Sequence, residues 1–160
     1  MARPRKTARR ATPAPQLQDT VRLSAEGLAK VLGDLEARVL RTVWSFDRPT
    51  PARVIHDRLV EEHQVSPLTT ITVLNKLVAK GILARTSWDD LLHFSALLRE
   101  EQFMKVASRR VVEGILSLQP DAVTASFVDV LAERNSDELE ELARLVRQRM
   151  RERAAERRGK

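Results

Sequence analysis

From Asp34 onward, the apolar positions Leu35, Val39, Leu40, Val43 and Trp44 recur at three- and four-residue intervals. That is the spacing of one helix face, and it predicts an amphipathic helix ending near Phe46, with a shorter helix starting near Ser24 before it. The segment SFDRPTPARVI then supplies a turn and a helix start: Thr50 is expected to cap the free amides, and Pro51 suits the first helical position. This second helix is expected to turn Val54, Ile55, Leu59 and Val60 inward. The same device returns at Ser66-Pro67 and opens a third helix with Ile71, Leu74, Leu77 and Val78 inward. It should stop at Lys80-Gly81, where glycine can take the left-handed conformation that ends helices.

Two short runs follow, ILART (82–86) and LLHFS (91–95), with Ser87, Trp88, Asp89 and Asp90 between them. Aspartates between short apolar runs predict a hairpin. Three helices and then a two-stranded hairpin is the layout of a winged helix-turn-helix head. Beyond Arg99 the pattern is helical again. Phe103, Ala107, Val111, Ile115 and Leu118 form one stripe; Val123, Phe127, Val130 and Leu131 a second; Leu139, Leu142, Leu145, Val146 and Met150 a third, on a helix expected to be capped by Ser136. Helices with apolar faces and no sheet to cover them bury those faces against each other or against a second copy, so a helical dimerisation tail is expected. The chain is therefore predicted to be mainly α. Its expected organisation is a disordered basic tail over 1–23, a winged-helix head over 24–98, a helical dimerisation domain over 99–150 and a basic C-terminal tail over 151–160.

Charge changes this picture mainly by its location. The net charge is +6, yet residues 1–18 hold Arg3, Arg5, Lys6, Arg9 and Arg10 with no acid, and residues 147–160 hold seven basic residues against Glu152 and Glu156. The two ends thus carry +5 each, and the rest of the chain is net acidic at −4. Overall basicity belongs to the tails, so a polyanion-binding face on the head must come from the arrangement of its charges. The third helix offers one. Its outer side is expected to carry Thr69, Thr72, Val73, Lys76 and Lys80, and no Asp or Glu occurs from Ser66 to Ser87. Threonine can meet a base edge, a thymine methyl or a phosphate, and lysine adds charge, so this helix is the candidate to enter a major groove, with Arg85 on the wing as a further contact. Asp89 and Asp90 at the wing tip would repel phosphate.

Other chemistry is thinly represented. The absence of cysteine removes disulfides, thiolate metal sites and cysteine nucleophiles. His56 and His63 lie seven residues apart, too few and too widely spaced for a metal site. No HExxH, Gly-rich phosphate loop or nucleophile elbow occurs, so no enzyme, cofactor or metal is expected. No apolar stretch approaches the ~20 residues of a membrane span, and the basic N-terminus lacks the apolar run of a secretory signal; a soluble cytoplasmic protein is expected. Sequence-specific duplex binding competes with two other functions. One is a winged-helix protein-interaction scaffold; the other is sequence-indifferent nucleic-acid binding by the basic tails.

Three stretches, LGDLEARVLRTVW (32–44), SPLTTITVLNKLVAKGIL (66–83) and SFVDVLAERNSDELEELARLV (126–146), resemble the BlaI/MecI/CopY family of bacterial repressors, the penicillinase repressor family. The resemblance spans residues 32–146 and leaves the terminal tails outside. It implies a homodimer with winged-helix heads that blocks transcription at palindromic DNA operators until induced. It places Leu68, Thr69, Thr72 and Lys76 at reading-helix positions that meet DNA. Leu68 stands where some relatives have a polar or basic residue, which implies a different base preference, and Asp90-Leu91 replaces an Asp-Gly turn followed by Arg. Relatives controlling β-lactam resistance are cut at an Asn-Phe bond that aligns with Ser126-Phe127, which would make a membrane-bound sensor protease a partner; Phe127 as a dimer-core residue is the other reading. Copper sensing through a cysteine-rich tail is excluded by the lack of cysteine.

Overall fold

The computed structural model describes residues 14–17 and 21–159. The chain forms two compact units, one running to Val112 and the other from Glu113.

In the first unit, a 3-10 turn at Gly27–Lys30 leads to α1 (Asp34–Trp44), β1 (Thr50–Pro51), α2 (Ala52–Val60), α3 (Pro67–Ala79), β2 (Leu83–Trp88), β3 (Leu91–Ala96) and the start of α4 (Glu100–Leu116). This is a winged helix with one strand more than expected. Thr50 and Pro51 do not open α2. They form an edge strand antiparallel to β3, with Thr50 opposite Phe94, and α2 begins one residue later with Pro51 as its N-cap. The β1 strand is invisible to local pattern because its partner lies more than forty residues away.

The core gathers Leu32, Val39, Leu40, Ile55, Leu59, Leu74, Leu77, Leu83 and Phe94, all at 2% exposure or less. Removing this much apolar surface from water is the main force holding the three helices on the small sheet. Val54 and Val60, expected inside, are 44% and 38% exposed, because Ile55 and Leu59 alone fill the inner face of α2. The α4 stripe continues into this core. Phe103 is 1% exposed and meets Trp44 edge-on at a ring separation of 5.6 Å, while Trp44 Nε1 donates to the Leu98 carbonyl at 3.0 Å. Phe103 and Ala107 thus belong with the head, although the sequence groups them with the tail.

The hairpin turn is tighter than the four residues expected. β2 and β3 pair from Leu83–Ala96 to Trp88–Leu91, leaving only Asp89 and Asp90 between them, at φ +52° and +56°. Two positive φ values suit a strand-matched two-residue turn, a conformation that aspartate tolerates better than most residues.

Part of the stretch expected to lack structure is ordered. Leu17 packs against the core, Gln16 N–H donates to the Lys80 carbonyl at 2.7 Å, and Arg22 pairs with Asp34 at 3.2 Å. Residues 1–13 and 18–20 lie outside the described residues.

The second unit holds the end of α4, α5 (Pro120–Arg134) and α6 (Ser136–Arg158), the last two in contact. The cap of α6 is Asn135, not Ser136: Asn135 Oδ1 accepts from Asp137 N–H at 3.0 Å. The basic C-terminal stretch is helical to Arg158. Side-chain pairs one turn apart, Arg144 with Glu141 and Arg149 with Glu152, support α6 up to the start of this stretch, and good helix formers such as Ala, Glu and Arg carry it to its end. Neither α5 nor α6 buries a single residue.

Candidate nucleic-acid interface

The helix α3 starts as its sequence dictates. Ser66 is the N-cap, its Oγ accepting from Thr69 N–H at 3.1 Å, and Pro67 takes the first helical position, where a missing N–H costs nothing. It ends at Gly81, whose φ of +67° is open to glycine and strained for other residues. A fixed start and stop define which residues stand on the exposed side.

That side is not quite the expected one. Thr70, Val73, Leu74 and Leu77 face the core, while Ile71 is 40% exposed. The helix is therefore turned about its axis by roughly half of the ~100° between successive residues, relative to the arrangement with Ile71, Leu74, Leu77 and Val78 inside. Val73, expected outside, is buried and cannot meet DNA. The cause is Thr70, which looks polar but sits at 0% exposure with its hydroxyl satisfied: Oγ1 donates to the Ser66 carbonyl at 3.3 Å and lies 2.9 Å from His56 Nδ1 on α2. A buried hydroxyl is tolerated once it is hydrogen-bonded. The same contact ties α2 to α3 and sets their relative placement.

Leu68, Thr69, Thr72 and Lys76 remain exposed, as expected of reading residues. Ser66 Oγ and Thr69 Oγ1 lie 2.8 Å apart, and Thr72 Oγ1 donates to the Leu68 carbonyl at 2.8 Å. Lys80 departs from expectation. Its ammonium lies 2.7 and 2.8 Å from the two carboxylate oxygens of Glu36, which also accepts from Gly33 N–H at 2.9 Å. Glu36 is nearly buried, and its burial pushes the carboxyl up; the hydrogen bonds from Lys80 and Gly33, with the charges of Lys80 and Lys76, outweigh that and hold it below the usual carboxylate range. Lys80 is therefore committed to the fold. The pairing has an electrostatic consequence for the interface. Asp34 and Glu36, the two acids beside Leu68 and Thr69 in the groove between α1 and α3, are matched by Arg22 and Lys80, so little bare negative charge remains there to repel a phosphate.

Arg85 reaches the helix as well as the solvent. From β2 it donates to Asn75 Oδ1 at 2.9 Å, joining the wing to the exposed ridge of α3. Asn75 escaped the sequence analysis; a lone amide in mid-helix, one turn beyond Thr72, is the only signal that could have found it. Trp88, near the wing tip, is 73% exposed and lies 5.5 Å from the His93 ring.

Elsewhere, His63, in the loop beyond the end of α2, contacts Arg38, so it and His56 have separate partners, and the described residues contain no cluster of three His, Cys, Asp or Glu able to hold a metal. No helix among them is long and apolar enough to cross a membrane. In the second unit, Phe127, Val130, Leu145 and Val146 are 47–52% exposed, and Val123, Leu131, Leu139 and Leu142 are only half-buried. An apolar groove of about 350 Å³ is lined by Ile115, Leu118, Val123, Phe127 and Val130. The Ser126-Phe127 bond lies inside α5, where a protease that grips extended chain would first have to unwind the helix.

Among solved structures, that of Lactococcus lactis ZitR is similar at 14% identity and a TM-score of 0.36, covering 80% of this chain and 79% of that one, too distant to inform the site. No curated protein sequence matches the chain. The family model described as penicillinase repressor matches residues 32–148, which takes in α1, the hairpin and most of α6. The chain belongs to the penicillinase repressor family and is a DNA-binding transcriptional regulator.

Proposed function

We propose that this regulator is a repressor that acts in the cytoplasm as a homodimer on palindromic operators, with α3 of each copy in a major groove. The observation that carries the reading is the exposed face of α3. It has a capped start, no acidic side chain from Ser66 to Ser87, and Leu68, Thr69, Thr72 and Lys76 in solvent beside acids that are already paired. Short side chains and a cation are what groove entry requires. Dimerisation is supported by the second unit, whose helices leave half of each apolar stripe in water. A second copy would cover Phe127, Val130, Leu142 and Val146, and this assigns Phe127 to a dimer core.

Two heads related by a two-fold axis would meet half-sites about 34–36 Å apart, one helical turn or a multiple of it. Selection of duplexes from a random library by the full chain, with sedimentation of the complex, tests the reading. It is supported by an inverted repeat bound by two chains. An enriched site without symmetry, bound by one chain, would refute the dimeric operator.

A further inference from the structure

The ridge that α3 turns to solvent is more apolar than a surface helix needs. With Thr70, Val73, Leu74 and Leu77 against the core, helical geometry puts Leu68, Thr72, Asn75 and Ala79 along the opposite side. Leu68 is 75% exposed, more than any other large apolar side chain among the described residues. One exposed leucine alone would need no explanation. Its neighbours supply one. Thr72 commits its hydroxyl proton to the Leu68 carbonyl at 2.8 Å, which leaves its methyl group as the part offered next to Leu68, one turn along. Ile71 beside them is 40% exposed. Asn75, the only amide of the helix, has its Oδ1 held by Arg85 at 2.9 Å. A bidentate amide contact to adenine needs both the donor and the acceptor. Here the acceptor is engaged by the wing, and apolar contact is what the ridge has left to offer.

We infer that Leu68, backed by the Thr72 methyl, reads thymine methyl groups in the major groove, so that the operator carries a thymine in each half-site where the first turn of α3 meets the bases. Thymine alone presents a methyl group in the groove, and cytosine at the same place does not. The inference rests on α3 being the reading helix. It makes Leu68 a specificity-determining residue rather than a general contact.

The test uses the full chain and a duplex selected by it from a random library, with each thymine replaced singly by deoxyuridine, which deletes the methyl and keeps the pairing. At one thymine per half-site the wild type should lose about fourfold in affinity, the value of one buried carbon group. Leu68→Ala should be indifferent to the same replacement. Because Leu68 is exposed, the variant should melt with the wild type. A duplex that tolerates deoxyuridine at every thymine, or an equal loss in wild type and Leu68→Ala, overturns the inference alone. A chain that selects no duplex overturns the reading-helix assignment, and the inference with it.

Discussion

The ammonium of Lys80, at the end of α3, lies 2.7 Å from Glu36 Oε2 on α1, across 44 residues of sequence. It separates two lysines that look equivalent in the sequence. Lys80→Ala should leave a nearly buried carboxylate without its cation and destabilise the head by about 1–3 kcal/mol, read as a lower midpoint in urea unfolding. Lys76→Ala, on the exposed face, gives up only the smallest of the interactions that favour the Glu36 carboxylate, so it should lower the midpoint far less than Lys80→Ala, weaken DNA binding and lower the salt slope by about one. The reverse pattern would mean that Lys80 is the DNA contact.

The same pair makes stability depend on pH. Glu36 has a folded-state pKa below its ordinary value, so its contribution is present above the unfolded-state pKa and is lost as pH falls through the folded value. The loss should begin below about pH 4.3, the ordinary glutamate value. Glu36→Gln should be the less stable protein at pH 7, and the gap between it and the wild type should narrow towards pH 3 in parallel urea titrations. A gap constant across that range would contradict the ion pair.

At the wing, Asp89 and Asp90 both hold positive φ. Asp90→Gly removes the Cβ from a left-handed position and should raise stability by about 0.5–1 kcal/mol, measured as a higher thermal midpoint. A lower midpoint would mean that the Asp90 side chain stabilises the turn.

In the tail, Leu142→Glu with Val146→Glu would put charge where a dimer core is proposed, a costly change because the carboxylates would lose water without gaining partners. Sedimentation should show monomers that keep their helical circular dichroism. An intact dimer would remove these residues from the interface.

What the sequence makes legible is mostly local. The Ser66-Pro67 start and the Gly81 stop of α3 follow from the chemistry of single positions, and the buried stripe of α1 and the buried Phe103 and Ala107 of α4 from their spacing. What escapes is settled by distant partners. Thr50 pairs with Phe94 instead of capping α2, and Glu36 captures Lys80. Thr70 goes inside because Ser66 and His56 satisfy its hydroxyl, and that one residue turns Val73 inward and Ile71 outward. Leu68, Thr69, Thr72 and Lys76, the proposed reading positions, stay exposed because they lie well round from the core in either arrangement; Val73 and Lys80, nearer the boundary, do not.

The most direct test of α3 as the reading helix is the operator affinity of a Thr69→Glu, Thr72→Glu double variant, measured by fluorescence anisotropy across a salt series on a duplex selected by the wild type. Both positions are exposed, so the fold should survive. Two carboxylates in the groove face should abolish selective binding and leave only a weak, strongly salt-dependent association of the kind basic tails provide. Operator affinity equal to that of the wild type would contradict the account.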